Sequence, residues 1–226
     1  MDHYGQYTTK KSQWYYLGMT RKQDALKHFK RVDPHFHKAT RVHHASLPEQ
    51  LSDKKTRAQL FESLVSIVIS QQLGTTVADT IFARVKKACK GQLTPESVIR
   101  TSLPAFKKAG LSGAKSRTLK EIAKAVKNKS LDLLALKKIP ETEAAGQLMQ
   151  IWGLGPWSVE MFLMFALGRA DVFSPGDLGL VRAMEVLYGL PKNTPRSSLL
   201  AIAEKWSPYR TYASLLLWAT RDSSKN

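Results

Sequence analysis

The spacing of apolar residues along this chain predicts a protein built from short α-helices. Between residues 57 and 70, apolar side chains recur every three or four positions, which is the period of one face of an α-helix. Residues 71–74 interrupt that period, and Thr75 or Thr76 is suited to cap a second helix. The Thr-Pro-Glu segment 94–96 indicates another helix start, because proline fits the first helical turn. Further helical patterns cover residues 119–126, 142–152, 156–168, 181–187, 199–205 and 212–219.

The same pattern gives little support to β-strands. The partly β-branched run 64–69 lies inside a helical pattern, so we interpret it as helix. The first fifty residues are polar, aromatic and basic, and they show no clear period before about Thr20. We therefore expect an all-α fold, with a flexible N-terminal segment at 1–20 and one folded domain at 21–226.

The charge of the chain points to a polyanionic partner. It has 35 Lys and Arg against 18 Asp and Glu, a formal net charge of +17, and its isoelectric point is near 10. Such a balance favours binding to nucleic acid. The alternative is a basic surface that is simply solvated. Charge alone does not decide between the two.

The positions of histidine and cysteine exclude several kinds of site. All six histidines lie before Ala45, and Cys89 is the single cysteine. The rest of the chain cannot form a Ser–His–Asp triad or a histidine-ligated metal site unless the N-terminal segment supplies the imidazole. One cysteine excludes an internal disulfide and any four-cysteine cluster, and it fits a reducing compartment. With no apolar run of about 18 residues and no signal-peptide core, we expect neither a membrane span nor secretion.

The stretch 151–180 contains the candidate chemistry. Gly153-Leu154-Gly155 is a tight turn that opens onto an apolar helix, with Pro156 at the first helical position. Backbone N–H groups at such a helix start can hold one phosphate without reading sequence. The alternative is an ordinary pair of helices joined by a glycine cap, and the glycine pattern alone would favour it.

A single carboxylate, Asp177, follows in a Pro-Gly loop. An acid held beyond a phosphate-binding turn is suited to chemistry on a nucleic acid. The alternative is that Asp177 only caps a helix at 178–187.

The wider string resembles the helix-hairpin-helix DNA glycosylase superfamily, in its alkyladenine branch, DNA-3-methyladenine glycosylase II. Residues 151–159 fit the hairpin form L/I-x-G-[LIV]-G-x-W-[ST]-[AV], and residues 171–178 fit D-[VI]-F-x-P-x-D-L/Y. Residues 61–73 resemble the segment before the DNA-probing loop, and residues 206–218 resemble the C-terminal helix. Together these motifs cover about residues 50–220 in order. The resemblance implies two helical subdomains with a cleft between them, and a helix-hairpin-helix at about 142–168.

The resemblance also implies an activity. The chain is expected to be a monofunctional glycosylase that flips alkylated purines, such as 3-methyladenine and 7-methylguanine, out of duplex DNA and hydrolyses the N-glycosidic bond. Asp177 matches the catalytic aspartate, whereas Asp171 matches a position used for capping or a surface salt bridge. Trp157 stands where bifunctional members carry a lysine, and an indole cannot form a Schiff base. The alternative is a protein that binds damaged or abasic DNA with little or no excision.

Other residues take their expected roles from the same resemblance. Gln72 matches the wedge that fills the gap left by the flipped nucleotide. The base pocket is expected to include Trp157, Trp218 and Met161, and DNA-backbone contacts are expected from Gly153, Gly155, Ser158 and Lys115. For Lys115 the alternative is a plain helix start. No cofactor and no metal on side chains is expected, although backbone carbonyls of Trp152 and Leu154 are suited to Na⁺ or K⁺. We expect a monomer that acts inside the cell, in the nucleus of a eukaryote or the cytoplasm and nucleoid of a bacterium.

Overall fold

The structure is a computed structural model, and it describes residues 22–223. Within that range the chain forms α-helices and no β-strand, which confirms the all-α prediction there. The helices are α1 Lys22–Val32, α2 Pro34–Ala39, α3 Arg57–Ser70, α4 Thr75–Ala88, α5 Pro95–Arg100, α6 Leu103–Ala109, α7 Gly113–Lys127, α8 Glu141–Met149, α9 Pro156–Phe165, α10 Leu178–Tyr188, α11 Arg196–Glu204 and α12 Arg210–Ser223. Short 3-10 helices lie at Arg41–Ser46 and Ala135–Lys137. The expectation for residues 1–20 lies outside the described residues.

The chain divides into two compact units. The central unit is Ser52–Leu167, and the discontinuous unit combines, within the described residues, 22–51 with 168–223. None of the helices in 22–223 is long and apolar enough to cross a membrane.

Helix α3 lies at the centre of the packing in the central unit. It begins with a capping box, in which the Thr56 hydroxyl accepts from the Gln59 N–H and the Gln59 side chain accepts from the Thr56 N–H. Its apolar residues are buried on more than one face, because α4, α7 and α9 all pack against it. The helical hairpin formed by α8 and α9 therefore rests on α3.

The discontinuous unit is built around α10 and α12, which pack against each other. Its core includes the fully buried Phe29 and Phe36, which come from α1 and α2. The buried Asp33 carboxylate ties these helices to the rest of the unit, because it accepts from the Tyr188 hydroxyl at 2.6 Å and from Trp206 Nε1 at 3.2 Å. The N-terminal segment from residue 22 onward is thus part of a core, which the apolar spacing did not predict.

Other element boundaries differ from the predictions for local reasons. Helix α6 was not predicted, and it forms between a Ser102 cap and Gly110, which takes a left-handed φ of 102°. Helix α10 begins at Leu178, three residues before the predicted start, because Asp177 caps it. Helix α8 ends at Met149 instead of 152, since the chain then enters the hairpin turn.

Candidate active site

The turn between α8 and α9 requires glycine at one position. Gly153 has a φ of +88°, a region that residues with a Cβ rarely adopt. A Cβ at Gly153 would overlap the Thr118 hydroxyl and lie 2.9 Å from the Thr118 Cβ. The tip of the hairpin therefore lies directly against α7.

Gly155 and Ser158 occupy different environments in this turn. Gly155 is exposed and extended, and it caps α9 with Pro156 in the first turn. The Ser158 side chain is buried, and its hydroxyl lies 2.8 Å from Gln71 Nε2, which donates to it. Any phosphate contact from Ser158 would thus have to come from its backbone.

In the loop after α3, Gln71 is half-buried and Gln72 is exposed. The Gln71 side chain is half-buried, and Nε2 also donates to the Gly153 carbonyl at 3.0 Å. Gln72, the predicted wedge, is exposed and has a φ of +58°, in the left-handed region. The sequence did not indicate a role for Gln71, because its partners lie more than 80 residues away.

The Lys115 ammonium has partners within the protein. It donates to the Ile69 carbonyl at 2.8 Å and to the Gln71 carbonyl at 2.7 Å, at the end of α3. Burial lowers the pKa of this ammonium from its usual value. The structure shows Lys115 bound to two carbonyls at the end of α3, and the phosphate contact stays a prediction.

A different cation lies at the tip of the hairpin. The guanidinium of Arg117 is 4.1 Å from the centroid of the Trp152 indole, which is 44% exposed. No local pattern in the sequence indicates this pair. The cation site predicted at the carbonyls of Trp152 and Leu154 stays a prediction; within residues 22–223, no group of three or more acidic, histidine or cysteine side chains could hold a metal.

In the discontinuous unit, Asp177 is fixed by two donors. Its Oδ1 accepts from the Leu180 N–H at 2.9 Å and from Trp218 Nε1 at 3.0 Å. Asp177 therefore does cap α10. The cap also pins the carboxylate in one place, so capping and a chemical role are compatible.

Gly179 and Arg221 lie beside this carboxylate. A Cβ at Gly179 would overlap Arg221 Nη1 and lie 3.0 Å from Asp177 Oδ1, so the guanidinium of Arg221 lies close to Asp177. Arg221 also pairs with Asp222. The sequence did not single out Arg221.

The predicted pocket residues lie on two units. Trp157 and Met161 belong to α9 of the central unit, and Trp218 belongs to α12 of the discontinuous unit. Met161 is only 5% exposed, whereas Trp157 and Trp218 are half-buried.

Asp171 forms an ion pair with Arg210. Its two oxygens accept from Nε at 2.7 Å and from Nη2 at 2.9 Å, and Oδ2 also accepts from the Ser207 hydroxyl at 2.8 Å. The Arg210 side chain is 7% exposed. The predicted salt bridge is present, but it is largely buried and not at the surface.

Residues 65–208 match the family described as HhH-GPD superfamily base excision DNA repair protein. The chain belongs to this superfamily, in its alkyladenine glycosylase branch. The predicted family and the all-α fold of this superfamily are confirmed.

Three matches illustrate the similarity. DNA-3-methyladenine glycosylase 1 of Schizosaccharomyces pombe is 34% identical over 176 residues, which is 76% of each chain. A crystal structure of DNA-3-methyladenine glycosidase from Bacillus halodurans has a TM-score of 0.70 and 32% identity, covering 88% of this chain and 90% of that one. The S. pombe 3-methyladenine DNA glycosylase in complex with abasic DNA has a TM-score of 0.78 and 29% identity, covering 90% and 97%.

Proposed function

We propose that the protein is a monofunctional DNA glycosylase, which removes alkylated purines from duplex DNA by hydrolysing the N-glycosidic bond and so starts base excision repair. The observation that carries this proposal is the Asp177 carboxylate, held by the Leu180 N–H and Trp218 Nε1. Membership of a base excision repair family, and relatives named for 3-methyladenine excision, support it.

DNA binding begins at the phosphate backbone. The turn with the exposed Gly153 and Gly155, and the start of α9, would hold one phosphate through backbone N–H groups. Arg117, an exposed residue of α7 whose guanidinium lies over the Trp152 indole, would add a cation beside it. A net charge of +17 strengthens this sequence-independent contact.

The target base must leave the helix before it can react. Flipping costs a few kcal/mol, and Gln72 would fill the vacated gap. Alkylation at a ring nitrogen gives a purine a positive charge, and a cation is attracted to the face of an indole. Trp157 and Trp218 would supply such faces, with Met161 as apolar wall.

Asp177 would act on the sugar of the flipped nucleotide. As the N-glycosidic bond breaks, the sugar gains oxocarbenium character, which an ionised carboxylate stabilises. The same carboxylate would position or deprotonate the attacking water. A cationic base leaves with little help from a general acid, which agrees with the absence of histidine after His44.

The proposal also covers lyase activity, oligomeric state and cofactors. Trp157 replaces the lysine that lyase chemistry would need, so no strand cleavage is expected. The protein is proposed to act on duplex DNA as an intracellular monomer without a cofactor, with Na⁺ or K⁺ at the carbonyls of Trp152 and Leu154 if a cation is held.

A base-release assay tests the proposal. The protein is incubated with duplexes that each contain one 3-methyladenine, 7-methylguanine, ethenoadenine or hypoxanthine, and half of each sample is then treated with alkali. We expect strand breaks at an alkylated purine only after alkali, and no borohydride-trapped adduct. Breaks without alkali would contradict the monofunctional assignment. No release, together with tight binding to abasic DNA, would favour the binding protein instead.

A further inference from the structure

The side chain of Gln71 bridges the two sides of the hairpin turn. An amide NH₂ has two protons to donate, and two acceptors lie within reach of this one: the Gly153 carbonyl at 3.0 Å and the Ser158 hydroxyl at 2.8 Å. One acceptor precedes Gly155 and the other lies in the first turn of α9. The loop after α3 is therefore joined by a side chain to the element that would hold a phosphate.

Lys115 joins the same loop to α7. Its ammonium lies 2.8 Å from the Ile69 carbonyl and 2.7 Å from the Gln71 carbonyl. Carbonyls at the end of a helix lack intrahelical partners and carry partial negative charge, so a cation there satisfies them. Gln71 is thus held by its side chain to the hairpin and by its backbone to α7.

A third contact closes this arrangement. Gly153 lies against Thr118, also on α7, at a distance that leaves no room for a Cβ. The end of α3, the start of α7 and the hairpin tip therefore converge on one small region of the central unit. Gln72 follows Gln71 directly, and its left-handed φ of +58° is a conformation that persists only where the surroundings impose it.

We propose that Gln71 and Lys115 are positioning residues that lock the Gln72 loop to the hairpin, so that one rigid surface holds the phosphate and wedges the base pair. The proposal rests on the proposed function, in which Gln72 fills the gap of a flipped nucleotide. It also excludes Lys115 as a direct phosphate ligand. Neither residue touches the reacting atoms.

A comparison of paired and unpaired lesions tests whether Gln71 positions the wedge or only stabilises the fold. Flipping costs less when the lesion has no partner base, so a misplaced wedge should matter less there. Single-turnover excision by Gln71→Met, which keeps the length but removes both donors, is compared for a lesion opposite its normal partner and opposite an abasic analogue. We expect a loss of about tenfold or more for the paired lesion, and a clearly smaller loss for the unpaired one.

Two further variants sharpen the test. Gln72→Ala should show the same preference, and the double variant with Gln71→Met should be no worse than the more impaired single variant, because both changes remove one function. Gln23→Met, which makes the same change at an exposed glutamine of α1, is the matched control and should leave both rates unchanged. Equal losses on paired and unpaired lesions, or additive losses in the double variant, would overturn the proposal.

Lys115→Met distinguishes the two roles of the lysine. If Lys115 positions the loop, the variant repeats the Gln71→Met pattern, the salt dependence of DNA binding is unchanged, and Lys115→Arg recovers part of the rate. A phosphate ligand would instead lower the slope of log affinity against log salt by about 1, and that result contradicts the proposal.

Base flipping is also measured directly, through the fluorescence of a 2-aminopurine placed beside the lesion. This measurement does not require excision. A wild type that flips the base but releases none would refute the proposed function alone. A wild type that excises paired lesions, while Gln71→Met flips and excises them equally well, would refute the positioning role alone. Thermal unfolding of each variant shows whether it is folded, and Gln71→Glu serves as the second variant if Gln71→Met is not.

Discussion

At the scale of single residues, Asp177 combines two roles that the sequence presented as alternatives. It caps α10 through the Leu180 N–H, and the same oxygen accepts from Trp218 Nε1. Both bonds fix where the carboxylate lies. A group meant to stabilise a developing charge has to be held in place before the reaction, so the cap supports the proposed chemistry.

Gly153 and Gly155 give a residue-scale prediction, because a Cβ has no room at Gly153 and open space at Gly155. Gly153→Ala is expected to lower the free energy of unfolding by about 2 kcal/mol or more, since a left-handed conformation is unfavourable for alanine and its Cβ would overlap Thr118. Denaturant unfolding measures the effect.

Gly155→Ala is the matched control. No atom lies within 4 Å of a Cβ at this position, and its backbone is extended. Its stability should stay within about 1 kcal/mol of wild type. Its affinity for DNA should fall, because a methyl group would stand at the helix start where a phosphate approaches. Equal destabilisation of the two variants would contradict the geometry of the turn.

Residue roles were predictable from the sequence only where a local motif carried them. Asp177 and the hairpin glycines stand inside such a motif. Gln71, Lys115 and Arg221 act through partners that are distant in the sequence or that emerge only from packing, and no spacing rule reveals such pairs.

At the scale of elements, the ion pair of Asp171 and Arg210 joins the loop before α10 to the start of α12. Asp171→Asn is expected to lower stability by about 2 kcal/mol, because a largely buried guanidinium loses the carboxylate that binds its Nε and Nη2 and keeps a longer pair with Glu204, at 3.6 Å. Glu121→Gln, which breaks the exposed pair with Lys124, should change stability by less than about 0.5 kcal/mol.

Activity of the Asp171→Asn variant gives the second half of this prediction. Assayed at a temperature where it is folded, the variant should excise as fast as wild type, since Asp171 is a structural residue. Slow excision by a fully folded Asp171→Asn would contradict that assignment and would point to a role near the reaction.

The helices predicted from the sequence are those with many apolar residues. Helices α3 and α9 bury most of their apolar side chains, and α4 carries several apolar residues of which Ala78 and Val85 are buried. Helices α1 and α2 bury few but large side chains, Phe29 and Phe36 among them, amid basic residues. The scarcity of apolar residues, and the six-residue length of α2, explain why these helices were not predicted, although Phe29 and Phe36 are fully buried.

At the scale of the whole molecule, the order of motifs along the chain was more informative than any single one. The motifs gave the family and the all-α architecture, which the comparisons confirm. Periodicity could not show that residues before 52 and after 167 form one unit, because it reports which face of a helix is buried but not its partner.

The central claim is that Asp177 performs the chemistry on the sugar. Asp177→Asn tests it most directly, because asparagine also caps helices well and its carbonyl can accept from Leu180 and Trp218. Asp79→Asn makes the same charge change at an exposed position and serves as control. Single-turnover release of 3-methyladenine by Asp177→Asn should fall by about a hundredfold or more, while binding to abasic DNA is retained. Release at the wild-type rate by the folded variant would contradict the account.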